Sequence, residues 1–105
     1  MPNVYIINKG GHDHSDAERF GDLVFLSTGT INRYAVSQMF RQFINTLAKS
    51  DPSDHILITG LTVMSVVACA IFAVKHNRLN LLLYKSPRGR EQGHYVERTL
   101  MLEDI

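Results

Sequence analysis

The sequence holds one cysteine, no tryptophan and three prolines in 105 residues. A single cysteine cannot close an internal disulfide, which excludes the disulfide-stapled secreted scaffolds. Cys69 lies in an apolar stretch with no basic residue within five positions, so it reads as a small buried hydrophobe rather than a reactive thiol. No basic segment precedes an apolar one near Met1-Pro2-Asn3, so no secretory signal is expected and the predicted location is cytoplasmic. The chain also lacks a Walker A loop, a GxGxxG fingerprint, a Gly-x-Ser-x-Gly elbow and zinc-finger spacing. Acidic residues are missing from two long stretches, Leu23 to Ser50 and His55 to Arg90. Those stretches are expected to form an electropositive surface although the net charge is only +1.

What remains is ordinary globular composition, 45% hydrophobic and 20% charged, at the size of one domain. Residues 1–105 are therefore read as a single α/β domain. The nineteen uncharged residues from Ile56 to Val74 come near the length of a membrane span. Their pattern changes at Thr59-Gly60, from the β-branched Ile56-Leu57-Ile58 to a stretch rich in Ala, Ser and Val. The helix left after that break is too short for a bilayer, which argues against a membrane span.

Val4–Asn8, Leu23–Thr28, His55–Thr59, Leu79–Tyr84 and His94–Leu102 read as strands from their apolar runs and flanking turn residues. In the last of these, Val96, Leu100 and Leu102 alternate with Tyr95, Glu97 and Thr99, as in a half-exposed edge strand. Between Ile31 and Lys49, Val36, Met39, Phe40, Phe43, Ile44 and Leu47 recur at helical steps and predict one amphipathic helix. Its polar face carries Arg33, Ser37, Gln38, Arg41, Gln42, Asn45 and Lys49. Thr62 to His76 predicts a second helix, apolar all round and so expected to be central or to meet a partner. The order β-β-α-β-α-β-β implies a small Rossmann-like sheet of about five strands, mostly parallel, with an antiparallel C-terminal edge strand.

Two units align by their glycines: Leu26-Ser27-Thr28-Gly29-Thr30 against Leu57-Ile58-Thr59-Gly60-Leu61, each a strand end read as opening directly into a helix. Glycine permits a tight turn, and a helix start offers unpaired N–H groups to anions. Parallel strands put both turns on the carboxyl edge of the sheet, where open α/β sheets bind ligands. The exit of the fourth strand, Lys85-Ser86-Pro87-Arg88-Gly89-Arg90, adds three cations to that edge. The candidate ligand-binding residues are therefore Thr28, Gly29, Thr30, Asn32, Arg33, Thr59, Gly60, Thr62, Lys85, Arg88 and Arg90. If the first strand is parallel as well, Asn8 to His12 joins them.

His12-Asp13-His14-Ser15-Asp16 is dense in imidazoles and carboxylates. Its HxHxD spacing is similar to the opening of the metal motif of metallo-β-lactamase-fold hydrolases. The following histidine of that motif is absent and that fold is much longer, so neither its activity nor a metal site is assigned. Should the chain be an enzyme, His12 or His14 is the candidate acid or base.

The glycine-turn edge, the small parallel sheet and an apolar helix free to pair resemble the small domains that bind nucleotide signals at a dimer interface. These include CRISPR-associated Rossmann-fold ligand sensors and compact viral proteins that degrade or sequester such signals. The resemblance covers Leu23 to Arg90 and implies a homodimeric binder of a phosphorylated small molecule or nucleotide, paired through the 62–76 helix or the edge strand, with no cofactor. Two alternatives are a small hydrolase or lyase acting on such a ligand and a non-catalytic assembly protein. Nucleic-acid binding ranks below these because the aromatic interleaving expected on a binding face is weak.

Overall fold

The computed structural model describes all of residues 1–105. Five strands form one sheet: β1 (Asn3–Ile6), β2 (Asp22–Phe25), β3 (His55–Leu57), β4 (Arg78–Lys85) and β5 (His94–Met101). Two α-helices, α1 (Val36–Leu47) and α2 (Thr62–His76), follow β2 and β3, and a 310 helix (Ser15–Phe20) joins β1 to β2. The strands lie in the order β2-β1-β3-β4-β5, parallel throughout except for the antiparallel pair β4 and β5. The expected α/β class, mostly parallel sheet and antiparallel edge strand are therefore present. β1 is parallel too, so its exit joins the other carboxyl ends.

The two faces of the sheet are covered differently. On one, Met39, Phe43 and Leu47 of α1 and Met64, Val67, Ala68 and Phe72 of α2 pack on Tyr5, Ile7, Leu26, Ile56 and Leu79. Burial of side chains such as Phe43 stabilises each by roughly 1.5–3 kcal/mol. On the other face, Ala17 of the 310 helix, Val4, Ile6, Leu57, Leu82 and Tyr95 form a smaller core, flanked by Phe20, Leu23 and Phe25. A Cβ at Gly21 would collide with the carbonyl oxygen of Pro2, so the 310 helix re-enters the sheet only through glycine.

Several local expectations need correction. α1 begins at Val36, not near Ile31, because the Asn32 side chain takes the backbone N–H of Tyr34 at 3.0 Å and holds residues 32–35 in a turn. The first Thr-Gly unit therefore does not open directly into a helix. Of the apolar stripe on α1, only Met39, Phe43 and Leu47 are buried; Val36, Phe40 and Ile44, rotated about one residue around the helix, stay at least 40% exposed. Nor is α2 buried all round: Val63, Val66 and Val74 face solvent, while Met64, Val67, Ala68 and Phe72 face the sheet. On β5 the expected alternation is absent: Tyr95 alone is buried, in the smaller core, and residues from Glu97 to Met101, Leu100 among them, are exposed.

The amino edge of the sheet is locked by polar groups. Buried Asp54 accepts the backbone N–H of Asn3 and of Asp51, both at 2.8 Å. The Asn80 carboxamide donates to the carbonyls of Pro52 and Asp54 and accepts from Arg78 and Thr99. His55 pairs with Glu97. Asn77, in the left-handed region at φ 54°, ends α2 by donating its N–H to Ala73. Burial pushes the Cys69 thiol up to about 11, which keeps it protonated and unreactive.

Candidate binding cleft at the carboxyl edge

The sequence runs from β1 outward to β2, then back across β1 to β3 and on to β4. The strand order thus reverses between β1 and β3. In open α/β sheets a crevice forms outside the carboxyl ends at such a point, because the chains leaving the two strands diverge to opposite sides.

Beside that point the exits of β1 and β2 are tied together. Lys9 donates its backbone N–H to Ser27 O at 2.8 Å, extending the parallel pairing to Lys9 and Thr28. The Ser27 hydroxyl lies 2.7 Å from Ile7 O and 2.9 Å from Asn8 Oδ1, and Asn8 Nδ2 donates to Gly29 O at 3.0 Å. Gly29 itself has φ +75°, a conformation that side chains with a Cβ rarely adopt. From there the chain loops away over Thr30 to Ala35 before α1 starts.

That detour opens a cleft of about 340 Å³ between the loop, the first two turns of α1 and the start of α2. Its rim is made by Ser27, Thr28, Thr30, Asn32, Gln38 and Gln42, and its apolar part by Ile31, Ala35, Met39, Phe43 and Met64. Gln42 is fixed by a 3.1 Å bond from Nε2 to Leu26 O. Of the predicted ligand residues, Thr28, Thr30 and Asn32 line this cleft, next to Gly29.

The second Thr-Gly unit is simpler. Thr59 Oγ1 accepts the N–H of Leu61 at 3.2 Å, and α2 starts at Thr62. Further along the edge, β4 and β5 are joined by a hairpin whose Arg88 and Glu91 exchange backbone hydrogen bonds of 3.2 and 3.0 Å around Gly89. Lys85, Arg88 and Arg90 are exposed on it and form no ion pair. Arg33 lies over its neighbour Tyr34, 5.2 Å from the ring centre. These cations share the edge but do not line the cleft.

Over residues 2–101 the chain matches the family of phage Pam3 gp32-like proteins. It belongs to that family. No curated protein and no solved structure is significantly similar to it.

In this gp32-like chain the histidine segment lies against the 310 face. Asp13 Oδ1 accepts the N–H of Ser15 at 2.9 Å, His14 Nδ1 meets the Tyr95 hydroxyl at 2.9 Å, and Asp16 takes the N–H of Tyr95 at 2.7 Å. Arg19 pairs with Asp16 and donates to the carbonyl of Tyr95. Burial, and then the nearby His12, lower the pKa of His14, which favours its neutral imidazole. Burial and the neighbouring Tyr84 raise that of Tyr95. His12 is exposed, with its ring centre 6.4 Å from that of His14. Neither histidine lines the cleft, and no three His, Cys, Asp or Glu side chains are grouped to share a metal ion.

Asn8 was expected at this edge if β1 is parallel, whereas Ser27, Gln38, Gln42, Met39, Phe43 and Met64 are absent from the candidates drawn from the sequence. Asn8 and Ser27 matter through a pairing visible only once β1 is known to neighbour β2. Gln38 and Gln42 carried a weak signal, since amides at i and i+4 flank the buried Met39 and Phe43 on the first turns of α1.

Proposed function

We propose that this gp32-like protein binds a phosphorylated small molecule, a nucleotide or nucleotide-derived signal, at the carboxyl edge of its sheet. The observation that carries the reading is the reversal of strand order between β1 and β3 with a formed cleft beside it. Backbone N–H groups around Gly29 and Gly60 and the start of α2 would orient the anionic part, with Thr28, Thr30 and Thr62 adding hydroxyls. Lys9, Lys85, Arg88 and Arg90, exposed and outside any ion pair, supply attraction over a longer range. In a protein of a phage family, such binding would serve to sequester a host signal. The dimer proposed with it would pair the exposed apolar side of α2, Val63, Val66 and Val74, in two copies.

Isothermal titration of the full chain against mono-, di- and cyclic nucleotides and inorganic phosphate tests the reading. Saturable binding of at least one phosphorylated compound, weakened by Arg88→Ala with Arg90→Ala and by added salt, is expected. No heat with any of them would sink the proposal. Light scattering at several concentrations tests the dimer, which a monomer at all of them would exclude.

A further inference from the structure

Although the edge around it is rich in cations, the cleft contains no charged side chain at all. A phosphate drawn past the threonine rim into its interior would be desolvated with no compensating charge. We infer that the cleft is the subsite for a neutral, flat heterocycle, the nucleobase of the ligand, while the phosphate stays outside at the glycine turns. The inference rests on the phosphate-site reading above for the second half of the ligand.

The chemistry of the walls selects a base over other neutral groups. The apolar surface open to a ligand comes from the half-buried Ile31 and Ala35, with edges of the Met39 and Met64 thioethers beside them and Phe43 fully buried beneath. A small apolar floor edged by polarisable sulfur suits one face of a planar ring. A sugar carries hydroxyls around its whole perimeter and on both faces, and would leave several unpaired against that floor. An acyl chain would instead strand the polar rim.

The rim holds hydrogen-bonding groups that the fold leaves free. The Asn32 carboxamide uses its oxygen on Tyr34 N–H, which leaves Nδ2 as a donor. Gln42 uses Nε2 on Leu26 O, which leaves Oε1 as an acceptor. Their backbone partners fix which end of each amide is offered, and the Gln38 side chain makes no intramolecular hydrogen bond and can turn to either role. A ring edge carrying both donors and acceptors, as every nucleobase does, matches this set.

Titration calorimetry on the full chain with the four ribonucleoside monophosphates, the free nucleosides, ribose 5-phosphate and inorganic phosphate tests the assignment. At least one nucleoside monophosphate is expected to bind about tenfold or more tighter than ribose 5-phosphate. Gln38→Ala, at an exposed position with no internal bond to lose, should remove most of that difference while leaving ribose 5-phosphate binding unchanged. Gln42→Leu should do the same, with a melting curve to check that the fold is kept. Equal binding of nucleotide and ribose 5-phosphate, with Gln38→Ala silent, overturns the base subsite and leaves the phosphate reading standing. Nucleosides that bind as well as nucleotides, with no binding of ribose 5-phosphate, uphold the subsite and overturn the phosphate reading. Absence of binding by every compound overturns both.

Discussion

The two Thr-Gly turns are nearly the same in sequence and differ in what the fold does with them. Thr28-Gly29 is tied sideways to the exit of β1 through Asn8, Ser27 and Lys9, takes a left-handed glycine, and sends the chain on a detour that opens the cleft. Thr59-Gly60 has no left-handed glycine and leads into α2 two residues later. A shared dipeptide thus marks a shared position, the end of a parallel strand, without a shared task. The neighbouring strand makes the difference: β2 is an edge strand whose exit leans on β1 alone, whereas β3 sits between β1 and β4.

The largest expected effect comes from breaking the tie at the first turn. Ser27→Ala removes a buried hydroxyl that bonds Ile7 O and Asn8 Oδ1, and should cost about 1–3 kcal/mol in urea unfolding together with faster hydrogen exchange at Gly29. A loss below a few tenths would mean that the tie does not hold the turn. Gly29→Ala comes next. Its φ of +75° makes a Cβ unfavourable by about 1–2 kcal/mol even though nothing stands within 4 Å of that position, so destabilisation without a clash is expected.

A smaller effect is set by pH, because the exit of β1 continues to His14. Burial holds the folded pKa of His14 below its ordinary value of 6.5, and His76 is lowered in the same way. The unfolded chain then takes up more protons than the folded one, so stability is full above pH 6.5 and falls as the pH drops below it. His14→Gln should flatten that slope in part, and below pH 6.5 exchange should quicken at Gly29 before Gly60. Simultaneous loosening of both turns would contradict the comparison. The smallest effect is reserved for Gly60→Ala. With open space around it and no positive φ, it should leave stability unchanged or raise it by about 0.5 kcal/mol, opposite in sign to Gly29→Ala.

Much of the fold was legible because its signals are local. The uncharged run from Thr62, set off from the β-branched strand by Thr59-Gly60 and closed by Lys75, His76 and Arg78, located α2 end to end, and the alternation of strands and helices implied the parallel sheet. The candidate site was legible in part. Thr28, Thr30 and Asn32 were named from the glycine turn, and the structure sets them on the cleft. Gln38 and Gln42 were assigned to a solvent face, because periodicity locates the face toward the sheet but not a loop folding over the start of a helix. His14 stands in a stretch dense in imidazoles and carboxylates, yet its hydrogen-bond partner Tyr95 is 81 residues away.

The sequence by itself determined which residues could form strands and helices, that both glycine turns lie on one edge, and that this edge is poor in acids. Those properties depend on spacing and composition within short windows. Only the tertiary structure decided that β1 inserts between β2 and β3, that the first turn is tied to it, and that the cleft excludes charge. Strand order and cavity lining arise from contacts between distant segments, chosen by whichever packing buries both apolar faces of the sheet together, and no local pattern encodes that choice.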